Sequence, residues 1–109
     1  MNYTFKENQL DYETYYILRK SVKWNNWSRE QAEIALGNSY YTVTVFDNKV
    51  PIGMGRAVGD GIYFMIMDIV VKPEYQRMGI GTAICIKLEE AVQVTIVTHA
   101  SISAKSFFE

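Results

Sequence analysis

The 109-residue sequence has a single cysteine, Cys85, and a single histidine, His99. That excludes an internal disulfide and a Cys/His metal centre of the zinc-finger kind. Neither sign of charge is in excess: eleven Lys and Arg against twelve Asp and Glu leave a formal net charge of -1. The broad basic surface that attracts nucleic acid or an anionic membrane is missing, although a small local anion site remains open. Long apolar runs are also absent. The longest, residues 62–71, is interrupted by Asp68 and too short to span a bilayer. Residues 1–10 are polar and lack the apolar segment of a secretory signal. The two prolines, Pro51 and Pro73, sit at strand boundaries, and no repeat or linker interrupts the chain. The expectation is one cytoplasmic, reduced domain over residues 1–109, without metal, nucleic acid or membrane. Its 49% hydrophobic content is enough for a single core.

The apolar periodicity supplies the elements. Residues 3–7 alternate as a first strand. Asp11 is a plausible N-cap for a helix that places Tyr15, Leu18 and Val22 on one face. Residues 23–28 break that helix. Ser28 with Gln31 then forms a capping-box pattern for a second helix, with Ala32, Ala35 and Leu36 inward and Gly37-Asn38 as its stop. Residues 40–46, 50–58 and 62–71 read as three strands joined by short polar turns, hence an antiparallel meander. The third is apolar on both faces, with Phe64, Ile66 and Val70 on one and Met65, Met67, Ile69 and Val71 on the other. That pattern predicts a central strand covered on both sides. A helix over residues 79–92, a short β-branched strand over 95–98 and a helix start over 103–109 complete the order. The fold class is α+β, a mixed αβα arrangement: a mostly antiparallel sheet with one right-handed parallel connection.

The stretch that carries chemistry is Pro73-Glu-Tyr-Gln-Arg-Met-Gly-Ile-Gly-Thr-Ala83. Its two glycines could serve a tight turn, close packing or a phosphate. A helix start has unpaired N–H groups and partial positive charge. Glycine lets an anion approach the backbone, and Arg77 adds a cation. Two common phosphate motifs do not fit. Thr82-Ala83 follows Gly81 where a P-loop needs Lys and Ser or Thr, and Ile84 stands where a dinucleotide fingerprint needs its third glycine.

Gln76-Arg77-Met78-Gly79-Ile80-Gly81 resembles the Gln/Arg-x-x-Gly-x-Gly/Ala motif of the GNAT N-acetyltransferase superfamily. The strand before it looks like that family's fourth. The resemblance implies acetyl-CoA as co-substrate and an amine of a small molecule or peptide as acceptor, with a splayed parallel strand pair in the sheet. It further implies that backbone groups of Ile69 and Val71 pair with the pantetheine arm. A backbone N–H near Ile69 or Val70 would polarise the thioester carbonyl. The N–H groups of Arg77, Met78, Gly79, Ile80, Gly81 and Thr82, next to Gln76, would hold the pyrophosphate. Toward the end the chain departs from the pattern. Where the family has Asn-x-x-Ala-x-x-Phe-Tyr and two further strands, this sequence has Ser101, Ala104, Phe107 and Phe108 and stops at Glu109. Phe108 has no proton for a leaving thiolate, and a last strand without neighbours predicts a homo-oligomer that covers its edge. The alternative to an active enzyme is a short CoA-binding relative with little or no catalysis. A domain whose glycines serve only the turn is the third reading.

Other residues carry paired readings. Asp68 is either a general base or amine anchor, or a structural carboxylate bonded to backbone or Arg56. Trp24 and Trp27, between the first two helices, either contact an acceptor or cap the core. Arg56 either faces the cleft or is a surface or Asp-paired arginine. His99, at the end of the expected last strand, is either a general base or a solvated or packed side chain, and Cys85, on a helix, reads as a small core residue.

Overall fold

A computed structural model describes residues 3–99, with side chains through residue 93. Four strands lie in sequence order in one antiparallel sheet: β1 (Tyr3–Glu7), β2 (Tyr41–Asp47), β3 (Val50–Gly59) and β4 (Phe64–Val71). Helices α1 (Tyr12–Ser21) and α2 (Arg29–Gly37) connect β1 to β2, and α3 (Ile80–His99) follows β4 after a single 3₁₀ turn at Pro73–Tyr75. Among the described residues no helix is long and apolar enough to cross a membrane.

Local chemistry sets the helix starts. The Asp11 carboxylate accepts from the Thr14 N–H at 3.0 Å, and the Ser28 hydroxyl accepts from the Gln31 N–H at 3.2 Å. Glu13 in the first turn of α1 and Arg19 and Lys20 in its last complement the helix dipole. The turns behave similarly. Asn48 takes a positive φ of 58° between β2 and β3, and the Asp60 carboxylate accepts from the N–H groups of Ile62 and Tyr63.

The core has two halves, one on each face of the sheet. On one face Val43, Val45 and Ala57 meet Ile80, Ile84 and Leu88 of α3. On the other, Met54 and Val70 meet Tyr15 and Leu18 of α1 and Ala32 of α2. Helix α3 lies directly on bare strand backbone. A Cβ at Gly55 would stand 2.5 Å from Ile69 Cδ1, 2.6 Å from Ile84 Cγ2 and 3.0 Å from Leu88 Cδ1. Packing of that density leaves no room for even one added carbon.

Four expectations are corrected. The strand expected over residues 95–98 is not formed: those residues continue α3 to His99, so His99 ends a helix. β-Branched residues cost a helix only a few tenths of a kcal/mol each, and no glycine or proline intervenes after Gly81 to stop one already started. With that strand goes the splayed parallel pair, which is not seen; the described sheet is wholly antiparallel. The oligomer expectation rested on the same strand. In the described sheet β1 and β4 are the two edges, so β4 is not central. Met65 is 61% exposed and Met67 40%. The expected faces of β4 also change, because Ile66, Ile69 and Val71 pack toward α3 while Val70 packs toward α1. The helix expected over residues 103–109, with Ser101, Ala104, Phe107 and Phe108, lies outside the described residues.

Candidate functional site

Between the C-terminal end of β4 and the start of α3 lies a cleft of about 350 Å³. Ile69 and Val71 of β4 form one wall. Tyr75, Gln76 and Arg77 form the floor of the loop, and Gly79, Ile80, Gly81 and Thr82 close it at the helix start. Among the described residues no carboxylate lines it, and Arg77 brings a cation.

The loop is held from several sides. Tyr75 packs on the α3 side of the core, stands edge-on to Tyr3 with centroids 6.1 Å apart, and donates to the Asp47 carboxylate at 2.7 Å. That hydrogen bond raises the Tyr75 pKa above its ordinary value. The Gln76 amide donates to the Val71 carbonyl at 3.0 Å, and the Lys72 N–H donates to the Ile52 carbonyl at 2.8 Å. Within this frame Arg77 and Gly79 both take positive φ, 66° and 82°. Left-handed residues in a turn point successive N–H groups inward, which makes a concavity for an anion. The Gly79 carbonyl already accepts the first helical bond, from Ala83 at 3.0 Å, so the N–H groups of the first turn of α3 are left free of intrahelical partners. At Gly81 an added Cβ would meet only Val71 Cγ2 at 3.8 Å and Ile69 Cγ2 at 4.0 Å.

The structure thus brings together Ile69, Val71, Gln76, Arg77, Gly79, Ile80, Gly81 and Thr82. It separates two others. The Val70 side chain is buried on the α1 face. Met78 is half exposed, outside the cleft wall, with its sulfur accepting from the Tyr3 hydroxyl at 3.5 Å. Asp68 also points to the α1 face. Its carboxylate accepts from Arg19 at 2.7 Å, Arg56 at 2.7 Å and the Tyr15 hydroxyl at 2.9 Å. Of the two readings for Asp68 and for Arg56, the ion-paired one is observed, and Arg56 does not line the cleft. Trp24 and Trp27 are 44% and 55% exposed, so neither caps the core. The Arg19 guanidinium lies 5.1 Å from the Trp24 ring centroid. Cys85 is partly buried and unpaired on α3.

Arg19 and Tyr15 are the participants that sequence reasoning missed. The signal was Asp68 itself: a lone carboxylate in an apolar strand needs cations, and the nearest helix carries one four residues after Tyr15. The same contact has a pH consequence. Burial first, then the hydrogen bond to Asp68, raises the Tyr15 pKa above its ordinary 10.0. The folded state therefore holds this proton more tightly than the unfolded chain does. Its contribution to stability is complete below about pH 10 and is lost as pH rises through the higher folded value. Urea unfolding on either side of pH 10 should show stability falling on the alkaline side, and Tyr15→Phe should flatten part of that slope. An unchanged slope in the variant would exclude Tyr15 as a source.

A larger depression, about 650 Å³, lies between the edge of β4 and α3. Its wall combines Phe64, Ile66, Ile86 and Val92 with Glu89 and Glu90. Two carboxylates make it unsuited to an anionic ligand.

Comparison with known proteins follows the same line. The family model for the acetyltransferase (GNAT) family matches residues 3–104. A protein of unknown function from meticillin-resistant Staphylococcus aureus, described as a probable acetyltransferase, is 33% identical; its solved structure gives a TM-score of 0.80 over 86% of this chain and 71% of its own. A GNAT-family acetyltransferase from Streptococcus pneumoniae is 32% identical, with a TM-score of 0.69 over 79% of this chain and 64% of its own. The chloroplastic GCN5-related N-acetyltransferase 1 of Arabidopsis thaliana is 42% identical over 45 residues. This chain spans 23% of that relative's length.

Proposed function

The chain belongs to the acetyltransferase (GNAT) family, and on that premise we propose that it binds acetyl-CoA in the β4–α3 cleft and transfers the acetyl group to an amine. The observation that carries this reading is the cleft itself. Among the described residues it is an anion-shaped loop with two left-handed residues, one cation and no carboxylate, at the start of a helix and beside the edge strand β4.

In this reading the pyrophosphate lies against the N–H groups from Arg77 to Thr82. Little side-chain chemistry is needed there, because backbone donors at a helix start suffice. The pantetheine arm runs along β4 as an added strand, against the backbone of Ile69, Val70 and Val71. The thioester then comes to rest beside the irregularity in β4 at Asp68, where an N–H of Ile69 or Val70 polarises its carbonyl. A neutral amine attacks that carbon, a base takes the amine's proton and the thiolate leaves as CoA. Asp68 does not supply the base, since its carboxylate is occupied by two guanidiniums and a phenol on the opposite face. Trp24 and Trp27, exposed on the α1–α2 loop, are available to an acceptor.

A second reading, CoA binding with little catalysis, is favoured by one observation in the sequence: Phe108 stands where the family pattern has a tyrosine. Titration calorimetry with acetyl-CoA and with CoA tests the shared part. Binding of both is expected, and no heat from either at high micromolar ligand would sink both readings. Thiol release over a panel of small amines and peptides then separates them. Turnover with any amine supports the enzyme, whereas binding without turnover leaves the second reading in place.

A further inference from the structure

Behind the cleft wall, the acetyl-transfer reading leaves a buried charge cluster without a role. Its centre is Asp68, whose backbone has a positive φ of 56°. That conformation is costly for most side chains and tolerated best by Asn and Asp after glycine. The residue belongs to a bulge. Met67 faces Arg56 and Val70 faces Met54, so Asp68 and Ile69 together stand opposite Gly55. Ile69 lines the cleft. The bulge is therefore where the cleft wall and the charge cluster share backbone.

The cluster ties the bulge to three other elements. Asp68 Oδ1 accepts from Arg19 Nη1 of α1, and Oδ2 from Arg56 Nε of β3, each at 2.7 Å. Each guanidinium is fastened again farther out. Arg19 Nη2 donates to the Asn25 carbonyl of the α1–α2 loop at 2.6 Å, and Arg56 Nη1 to the Ser39 hydroxyl after α2 at 3.1 Å. The side chains of Arg19, Arg56 and Asp68 are only 11%, 11% and 9% exposed. Two buried cations on one anion are a poor device for stability alone, since apolar side chains of equal volume serve as well. What the ionic set adds is direction: it holds one strained residue in one orientation.

We propose that Arg19, Asp68 and Arg56 form a positioning clamp that fixes the β4 bulge and thereby aims the N–H of Ile69, the bulge residue that lines the cleft, at the carbonyl of a thioester lying along β4. The inference rests on the acetyl-CoA reading above. None of the three side chains lines the cleft; they act through the backbone between them. Arg19 also fastens the loop that carries Trp24 and Asn25, so the acceptor side and the polarising backbone are held in one frame. Small displacements matter here, because a misplacement of about 1 Å in a reacting geometry can cost on the order of 100-fold in rate.

The test needs no known acceptor. Acetyl-CoA labelled with carbon-13 at the thioester carbonyl is bound to the full chain, and its carbonyl stretch is read by difference infrared spectroscopy. Binding to the unaltered protein should move the stretch to lower frequency. Asp68→Asn should lose most of that shift while retaining acetyl-CoA affinity by calorimetry. Arg19→Met, which leaves a charge-balanced Arg56–Asp68 pair and is expected to fold even where Asp68→Asn does not, should lose part of it. A bound carbonyl at the unaltered frequency in Arg19→Met, and in Asp68→Asn where it folds, overturns the clamp, even if the melting temperature falls. A ligand that binds the unaltered protein without any shift overturns it too. Failure of acetyl-CoA to bind at all defeats the cofactor reading, a distinct result.

Discussion

Replacing Gly81 by glutamate is expected to weaken acetyl-CoA binding by about 100-fold or more, equivalent to roughly 2.8 kcal/mol, with the fold intact. The two halves of that expectation have separate causes. The fold tolerates a side chain there, because an added Cβ meets only ordinary contacts at 3.8 Å and 4.0 Å. An acidic residue in the first turn of α3 is also favourable to the helix dipole. The ligand does not tolerate it, because the new carboxylate occupies the ground that the pyrophosphate needs and repels it as a like charge. Calorimetry should therefore show lost binding while the melting temperature stays close to that of the unaltered protein. Unchanged affinity would place the phosphates elsewhere.

Asp68→Ala should cost about 3–5 kcal/mol of stability. The loss has little to do with the attraction between charges. It comes from leaving Arg19 and Arg56 buried and uncompensated, in a site where each guanidinium is only 11% exposed. Alanine would also inherit the left-handed backbone without the local hydrogen bonding that helps Asp tolerate it. Removing the charges together, with Arg19→Met, Arg56→Met and Asp68→Asn in one chain, should recover most of the loss, since neither cation is then stranded. Urea denaturation measures both. The exposed pair of Arg29 and Glu13, at 3.0 Å but with side chains 60% and 58% exposed, sets the contrast. Ion pairs of that kind contribute roughly 0–1 kcal/mol. A loss that small for Asp68→Ala would mean that water reaches the cluster.

Much of the fold was legible because it is decided within a few residues. Asp11 and Ser28 cap their helices as the sequence suggests, since a cap needs only its own side chain and an N–H two or three positions on. The meander follows from short polar turns between β-branched runs. The loop at Gly79 and Gly81 announced a helix start with room at the backbone. Residues 95–98 misled because β propensity is a weak preference, and an established helix overrides it.

The rest of the site was not legible, for a different reason. Whether β4 is central or open, which face Val70 takes and what Asp68 touches depend on register and on partners 12 to 53 residues away. An apolar strand reads the same with or without a bulge, yet one extra residue reverses every side chain beyond it. The sequence by itself therefore determined the helix starts, the antiparallel order of the strands and an anion-ready loop, all of which short-range stereochemistry controls. Tertiary structure alone decided that Asp68 turns away from the cleft into two guanidiniums. A buried carboxylate goes where distant cations meet it, and only the folded chain brings Arg19 and Arg56 to one place.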